Sequence, residues 1–391
     1  MKILIVNTLY YPYRIGGAEK SVQLLAESLA LKGCTIGVIT LDKKDSFECL
    51  NKVNIWRLKL DNNYWPFDST NRTKLDKFLW HFNDRLNKKY DEKILSIFKI
   101  FQPQILFTNN LTGFSARIWS LARKKQIKVV HTLRDYSLQC PKSTKFRDNK
   151  NCKKNCNECI LLSLERKKLS HKIDTVIGIS DFILQNHIIN NFFKGVERTT
   201  IYNGFTFELD KKFNSPVFHD TITFGFIGQI NEAKGIEVLL KSFLKLERYS
   251  NWKLIIAGTT NNQYLTKLKT INNSANIEFW GYVNSNTFYN NIDVLIVPSL
   301  WEEPFGRVVI EGLIHEKIVF GSNRGGIKEL LQNNKDFIFE PDEKSLTLIL
   351  RKFLNSPKSF KNFDYDNSFL KKFHIDHIVS RYKKVFEKVI Q

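Results

Sequence analysis

The chain has 391 residues, of which 42% are hydrophobic and 25% are charged, and its formal net charge is +21. This length corresponds to two or three ordinary domains, and the composition is typical of a globular protein with a sizeable core. No apolar run approaches the roughly 20 residues that a membrane-spanning helix requires, so an integral membrane protein is not indicated.

The positive charge is concentrated in the first half of the chain. Residues 1–200 contain 35 Lys and Arg against 18 Asp and Glu, whereas residues 201–391 contain 25 against 21. This asymmetry predicts that the first half meets an anionic partner, such as nucleic acid, a lipid headgroup or a phosphorylated acceptor. A generically basic, solvated surface is the alternative.

Short apolar runs alternate with helical patterns from the first residue onward. KILIVNTL is followed at once by polar and glycine-containing sequence, so we expect a buried strand rather than a signal peptide, and secretion is not expected. A helix is predicted after Gly17 and ends at Gly33, because its apolar residues recur at helical spacing. Further strands are predicted in CTIGVITL, QILFTN, KVVHTL and TVIGIS. Such a βαβ series indicates a parallel sheet covered on both faces.

Residues 72–101 interrupt this alternation with aromatic and aliphatic residues mixed among Lys and Arg at roughly helical spacing. A basic amphipathic helix of this kind is typical of an element that lies on a membrane surface or docks an acceptor. A long helix that packs on its own domain and turns a basic face to solvent is equally compatible.

Four of the six cysteines form a cluster, at Cys140, Cys152, Cys156 and Cys159. Because secretion is not expected, a metal site is favoured over a disulfide framework. Four thiolates would complete a tetrahedral structural zinc site. The spacing between the first two is not that of a standard zinc finger, so a structural zinc and free thiols both remain open. A catalytic metal is not expected, since four cysteines leave no open coordination position.

The second half repeats the βαβ pattern after a segment without periodicity. We predict a first Rossmann-like domain over residues 1–204, a linker over 205–220, a second Rossmann-like domain over 221–373, and a C-terminal helix over 374–391 that packs back on the first domain. The predicted strands of the second domain are ITFGFIGQI, WKLIIAGT, NIEFWGYV, DVLIVPSL and KIVFGSNRGG. Ligands of such sheets bind outside the carboxyl ends of the strands, so the cleft between the two domains is the expected site.

Two glycine-containing loops are suited to binding a phosphate group. In RIGGAEK, Gly16 and Gly17 precede the first helix and let backbone N–H groups approach an anion. In GQINEAKG, Gly228 ends a strand and Lys234 precedes a helix, where ammonium and helix end together favour a pyrophosphate. An ordinary surface lysine is the alternative. The sequence G-x-G-x-x-G is absent from the first loop, which argues against a nicotinamide dinucleotide.

The stretch WEEPFGRVVIEG places two carboxylates at the end of a predicted buried strand. Glu303 lies in the loop and Glu311 in the helix that follows. Each carboxylate can accept hydrogen bonds from vicinal hydroxyls, which suits a polyol ligand. A helix-capping role for Glu303 and an acid/base pair of the glycosidase type are the alternatives.

These motifs together resemble those of the retaining family 4 glycosyltransferases of the GT-B fold. The resemblance rests on E-P-F-G-x-x-x-x-E, with GQINEAKG upstream, RIGGAEK near the start and NRGGIKELL downstream. It implies that Glu303 contacts hydroxyls of the donor sugar and that Phe305 and Gly306 line the sugar pocket. It also implies that Glu311 binds the nucleotide ribose and that Lys234 neutralises the leaving diphosphate.

The same resemblance implies that Gly16 and Gly17 lie near the diphosphate and that His131 faces the sugar. From the residues alone, a core or capping histidine is favoured at His131. The expected catalytic set is therefore Glu303, Lys234 and His131.

One residue departs from the family pattern. Members usually carry Arg directly after the glycine that Gly228 matches, and this chain has Gln229. The second phosphate-binding cation is thus missing from its usual place, with Arg307 and Arg134 as candidate substitutes.

The implied activity is metal-independent sugar transfer with retention, from a nucleotide sugar to a glycan or polyprenyl-diphosphate-linked acceptor, in lipopolysaccharide O-antigen or capsule synthesis. A UDP-sugar is favoured over a GDP-sugar, and no catalytic cofactor is expected. The basic first domain suits an anionic membrane surface, so we expect a cytoplasmic protein, peripheral at the inner face of the cell membrane. The alternatives are a non-catalytic GT-B partner subunit that binds sugar nucleotides, a GT-B epimerase, and a basic nucleic-acid-binding protein. No nucleic-acid module is recognisable, so nucleic acid is not an expected partner.

Overall fold

The computed structural model describes residues 1–13, 16–68, 70–209, 220–360 and 367–391. Most of the predicted linker lies outside these residues. No helix in the described ranges combines the length and the apolar character that crossing a membrane demands.

The chain forms two compact units. The first comprises Met1–Lys145, Lys153–Thr206 and Phe373–Gln391, and the second comprises Phe146–Cys152 and Phe207–Lys372. The short segment Phe146–Cys152 thus belongs by its contacts to the second unit, although the sequence assigned it to the first domain. Each unit is an α/β unit around a largely parallel sheet, which confirms the predicted fold class.

The strands of the first half are short and mostly buried. They are β1 (Lys2–Val6), β2 (Thr35–Asp42), β3 (Ser46–Leu50), β4 (Val53–Lys59), β5 (Ile105–Thr108), β6 (Lys128–Leu133), β7 (Phe146–Arg147), β8 (Lys150–Asn151), β9 (Thr175–Gly178) and β10 (Glu197–Thr200). Eight of them form one sheet in the order β10-β9-β6-β5-β1-β2-β4-β3, while β7 and β8 pair separately as a hairpin. Only the edge strand β3 is antiparallel to its neighbour in the eight-stranded sheet. The sheet changes winding direction beside β1, which pairs with β5 on one side and β2 on the other.

The helices of the first half are α1 (Gly17–Leu31), α2 (Lys74–Asp84), α3 (Asp91–Phe101), α4 (Arg117–Lys124), α5 (Asn157–Leu169) and α6 (Asp181–Ile189). The predicted helix of residues 72–101 is therefore two helices, separated by residues 85–90. Helix α3 buries Ile94, Ile97 and Phe98. Helix α2 buries mainly Trp80, and its indole N–H donates to the Tyr64 carbonyl at 3.0 Å.

The second unit is built on a parallel sheet of six strands. They are β11 (Ile222–Ile227), β12 (Trp252–Ala257), β13 (Ile277–Gly281), β14 (Val294–Val297), β15 (Ile318–Ser322) and β16 (Ile338–Phe339). Their order is β13-β12-β11-β14-β15-β16. The winding direction changes between β11 and β14, which pair directly through Phe224 and Val294. Loops that leave the carboxyl ends of two such strands diverge and create a crevice for ligands.

Helices cover this second sheet, and one last helix returns to the first unit. They are α7 (Ile236–Leu244), α8 (Asn262–Ile271), α9 (Ser285–Asn290), α10 (Arg307–Ile314), α11 (Gly325–Leu331), α12 (Glu343–Asn355), α13 (Asn367–Lys371) and α14 (Ile375–Ile390). Tyr382 and Phe386 of α14 pack against Phe107 in the core of the first unit. Helix α14 is amphipathic, and this apolar stripe explains why it returns to that core.

Candidate active site in the second unit

Lys234 and Glu303 meet at the point where the second sheet changes winding direction. Lys234 ends a short 3-10 turn, Glu232–Lys234, in the connection after β11, and Glu303 lies in the loop after β14. The Lys234 ammonium lies 2.7 Å from Glu303 Oε1. The Lys234 side chain is 22% exposed and that of Glu303 is 8% exposed. The structure therefore brings two of the three predicted catalytic residues into one ion pair.

The surroundings of this pair hold it in place. The Ser299 hydroxyl donates a short hydrogen bond to the same oxygen of Glu303. The Lys234 ammonium also lies 5.3 Å from the centre of the Trp301 ring, which is within the range of a cation–π contact. Ser299 and Trp301 were not singled out from the sequence, because their contacts depend on how the loop after β14 folds and, for Trp301, on Lys234 from an earlier segment.

Glu302 has a structural role that the sequence motif did not predict, because it binds the start of α11. Its Oε2 accepts a hydrogen bond from the Gly325 N–H at 2.5 Å, at the start of α11. The Gly326 N–H donates to the carbonyl of Glu303 at 2.7 Å. Burial raises the pKa of the Glu302 carboxyl. The glycine pair of NRGGIKELL thus anchors the loop that carries Glu303.

Glu311 lies on α10 and is held by two neighbours. The guanidinium of Arg307, one turn earlier, contacts Glu311 Oε1 at 3.1 Å. The hydroxyl of buried Tyr289 lies 3.5 Å from Glu311 Oε2. Burial raises the pKa of Tyr289, so this group stays a neutral donor. Both carboxylates of the E-x7-E motif are therefore paired with a cation, Glu303 in the loop before α10 and Glu311 within that helix.

The other predicted donor residues lie around the same crevice. Gly228 directly follows β11, and Gln229 after it is exposed. Phe305 is buried, and Gly306 is the residue that precedes α10. Arg307 is thus near the crevice, but it is engaged with Glu311.

Gly16, Gly17 and Arg134 belong to the first unit. Gly16 precedes α1, and its N–H donates to the Glu19 carboxylate at 2.9 Å; Gly17 begins the helix. Arg134 is buried and donates to the side-chain oxygens of Asn109 and Asn203, at 2.7 Å each. This arginine is therefore tied into the fold of the first unit.

His131 lies in the core of the first unit. His131 is 2% exposed, and its ring stacks on Phe193 and makes an edge contact with Trp119. Its Nδ1 lies 2.9 Å from Thr108 Oγ1, and burial lowers the pKa of the imidazole to about 3. His131 is therefore packed among aromatic rings of the first unit, and its contact with the donor sugar stays a prediction.

The buried His131 should make stability depend on pH. Its folded pKa lies below the ordinary value of about 6.5, so its contribution is complete above that pH and declines as the pH falls toward about 3. The decline is at most about 1.4 kcal/mol per pH unit. We expect the difference in unfolding free energy between the wild type and His131→Gln to shrink as the pH falls from 7 to 5, measured by urea denaturation.

The exposed His171 offers a matched control. His171→Gln should change stability little at any of these pH values. Parallel stability curves for the wild type and His131→Gln would contradict the buried, neutral state of His131.

The four clustered cysteines do not form the predicted metal site. Cys140 and Cys159 are buried, and the hydrogen bond between their thiols lowers the pKa of Cys140 and, together with Cys156, raises the pKa of Cys159. Cys152 instead follows β8 and belongs to the second unit. Within the described ranges, no three His, Cys, Asp or Glu residues are arranged to hold a metal ion. The four-cysteine zinc site is therefore not supported.

A cavity of about 450 Å³ lies in the first unit at the change of winding direction beside β1. Its walls combine aromatic rings with polar side chains. Among its lining residues are Glu19, Tyr64, Phe67, Trp80, Asn110 and Asp135. The Asp135 carboxylate accepts hydrogen bonds from the Asn110 amide and the Ser137 N–H, both at 2.7 Å, while burial raises its pKa. Aromatic faces beside fixed polar groups are suited to a sugar ring.

The two units have the GT-B fold, and Lys234 and Glu303 lie in the connections that follow β11 and β14. The structure superposes on that of Anabaena HepE in complex with UDP-glucose with a TM-score of 0.70, at 15% identity, covering 99% of this chain and 100% of HepE. At this identity the likeness establishes the fold.

Sequence comparison gives the family. Residues 208–367 match the family described as Glycosyl transferases group 1. A Klebsiella pneumoniae protein named as an uncharacterized 42.6 kDa protein in the cps region is 34% identical over 396 residues, covering 99% of this chain and all of the relative. The capsular polysaccharide biosynthesis glycosyltransferase CapM of Staphylococcus aureus is 28% identical, covering 46% of this chain and 52% of CapM. The chain therefore contains a glycosyl transferases group 1 domain over residues 208–367, and it belongs to the same family as the Klebsiella cps-region protein.

Proposed function

We propose that this protein transfers a sugar, with retention of configuration, from a nucleotide-sugar donor to a glycan or lipid-linked acceptor during synthesis of a bacterial capsule or lipopolysaccharide. The observation that carries the proposal is the ion pair of Lys234 with Glu303, at 2.7 Å, beside the end of β11. The relationship to the cps-region protein and to CapM supports a role in surface polysaccharide synthesis.

The donor would bind in the crevice of the second unit. In this proposal Glu303 accepts hydrogen bonds from sugar hydroxyls, Glu311 binds the ribose, and Lys234 exchanges its partner for the diphosphate. Stabilising the charge of the departing nucleoside diphosphate is then the main catalytic contribution, and a lysine with helix N–H groups can supply it without a metal. UDP is the favoured nucleotide, because HepE, which shares the fold, is known in complex with UDP-glucose.

The acceptor sugar would bind in the cavity of the first unit. Tyr64 and Phe67 offer ring faces for a pyranose, and Asp135 offers an oxygen to an acceptor hydroxyl. Gly16 and Gly17, at the start of α1, remain proposed contacts for a phosphate group.

The decisive experiment measures release of nucleoside diphosphate from a panel of UDP-, GDP- and dTDP-sugars, with and without polyprenyl-diphosphate-linked glycans. Turnover of one donor that depends on an acceptor supports the proposal, and analysis of the product linkage by NMR tests retention. Donor binding without turnover on any acceptor would instead favour a non-catalytic partner subunit.

Helix α2 is the element proposed to contact the membrane. Leu75, Leu79 and Phe82 recur at helical spacing and are 65%, 41% and 43% exposed. Leu86, just beyond the helix, is 38% exposed, and Lys74, Lys77 and Lys88 nearby are exposed as well. An apolar stripe flanked by cations is the pattern of a helix that lies in the interface of an anionic bilayer.

Replacing Leu75, Leu79 and Phe82 together by serine should therefore reduce binding to vesicles that contain phosphatidylglycerol by at least about tenfold. The reason is that each of the three side chains would bury apolar area in the bilayer. Vesicle co-sedimentation measures the effect. Ile189→Ser is the matched control, since Ile189 is 75% exposed on α6, outside this stripe. Equal binding of the triple variant and the wild type would contradict this role for α2.

A further inference from the structure

The hairpin of β7 and β8 is part of the second unit, although its sequence lies in the first half of the chain. Asp148 and Asn149 form its two-residue turn, with φ values of 51° and 58°. Two successive residues of positive φ match the twist of paired strands, and Asp and Asn tolerate this conformation well. The hairpin therefore has a locally specified shape, and its last residue, Asn151, is presented to the loop after β14.

Asn151 binds that loop through both ends of its side-chain amide. Its Nδ2 donates to the Leu300 carbonyl at 2.7 Å, and its Oδ1 accepts from the Glu302 N–H at 3.0 Å. A side-chain amide that pairs with a backbone donor and a backbone acceptor fixes both the position and the orientation of the peptide groups it contacts. The two groups held here lie directly before Glu303.

Further contacts of the loop come from its own half of the chain. The N–H groups of Leu300 and Trp301 donate to the Ala233 carbonyl, at 2.9 and 3.1 Å, and the Gly326 N–H donates to the Glu303 carbonyl. Ala233 directly precedes Lys234. Together with Asn151, these contacts surround the loop that sets the position of the Glu303 carboxylate.

We propose that Asn151 is a positioning residue for donor-sugar recognition, which acts by holding the loop 300–303 so that Glu303 meets the sugar hydroxyls. The inference rests on the proposed function, because it assigns Glu303 to the sugar. Asn151 itself touches neither sugar nor nucleotide in this proposal. The nucleotide would be held by Glu311 on α10, whose position does not depend on Asn151.

Because Asn151 acts on sugar recognition and Glu311 on nucleotide recognition, loss of Asn151 should affect binding of UDP-glucose and of UDP differently. Asn151→Ala should weaken binding of UDP-glucose by about tenfold or more, through loss of two hydrogen bonds, and should change binding of UDP by less than about twofold. Isothermal titration calorimetry with UDP-glucose and with UDP measures both. In turnover assays the same variant should raise the donor KM more than it lowers kcat.

The nearly isosteric variant separates hydrogen bonding from packing. Asn151→Asp retains the shape of the side chain but loses the donor and turns a carboxylate oxygen toward the Leu300 carbonyl. It should therefore be impaired at least as strongly as Asn151→Ala. Lys150→Ala, which alters the exposed preceding residue of β8, is the matched control and should behave like the wild type.

Hydrogen exchange provides a readout that does not need activity. Because the Glu302 N–H donates to Oδ1 of Asn151, its exchange should accelerate in Asn151→Ala, which removes the acceptor, and remain unchanged in Lys150→Ala. If the wild type binds and turns over no sugar nucleotide, the proposed function fails, and exchange at Glu302 still decides whether Asn151 holds the loop. Three results would each overturn the inference: unchanged exchange at Glu302 in Asn151→Ala, wild-type binding of UDP-glucose by Asn151→Asp, or equal weakening of UDP and UDP-glucose binding in Asn151→Ala.

Discussion

Lys234→Met is expected to lower kcat/KM for sugar transfer by about 10²- to 10³-fold, the usual cost of removing one group that stabilises developing negative charge. Lys234 lies in the connection after β11, and its ammonium contacts Glu303 at 2.7 Å. Methionine retains most of the apolar stem beside Trp301 but cannot neutralise a diphosphate. Steady-state release of nucleoside diphosphate measures the loss, and a loss confined to KM would show that Lys234 only binds the donor.

Two further variants control this experiment. Lys253→Met removes an exposed lysine of β12, in the same unit, and should leave kcat/KM unchanged. Glu303→Gln should also impair transfer, but its effect should not add to that of Lys234→Met, because residues in one ion pair couple energetically. Full additivity would argue that the two side chains act on the donor independently.

Gly235→Ala is expected to destabilise the second unit strongly and to abolish transfer. Gly235 has a φ of +74°, and a Cβ placed there would lie 1.9 Å from the Pro298 carbonyl oxygen. This contact is with backbone and cannot be relieved by a rotamer change. Gly235 directly follows Lys234, and Pro298 precedes Ser299, so any backbone shift would separate the ion pair. We expect the thermal midpoint to fall by more than about 5 °C, since about 1 kcal/mol corresponds to 2–4 °C in a unit of this size.

Gly281→Ala is a matched control for this effect. Gly281 has a similar φ of +67°, and a Cβ there would meet nothing within 4 Å. Its substitution carries only the cost of the left-handed conformation, about 1–2 kcal/mol. Differential scanning fluorimetry of the two variants compares steric conflict with conformational strain alone. Equal midpoints would mean that the Gly235–Pro298 contact does not matter for the fold.

The local sequence pattern was sufficient to predict a strand where burial on both faces of the sheet makes that strand continuously apolar. Runs such as DVLIVPSL correspond to β14 and its following loop, and the stripe after Gly17 corresponds to α1. The edge strand β3 was missed, because all of its residues are exposed or half-buried and its composition resembles a loop. The predicted single helix over residues 72–101 was wrong, since periodicity alone does not locate the break between α2 and α3.

The residues of the candidate site were also predicted only in part from the sequence. The sequence motif identified Lys234, Glu303 and Glu311, because spacing to a strand end and to a helix start is a local property. It did not identify Asn151 or the role of Glu302, whose partners lie up to 151 residues away along the chain. It also did not reveal that His131 packs against Trp119 and Phe193, because those rings come from other segments of the chain.

By itself, the sequence determined the class of fold, the strands that carry the candidate site and the charged residues at their ends. These depend on hydrophobic periodicity and on short-range spacing, which one chain segment expresses alone. Only the tertiary structure decided which side chains are paired, which are buried, and that a hairpin from the first half of the chain holds the loop before Glu303. Those properties depend on contacts between residues far apart in sequence, and no local pattern specifies them.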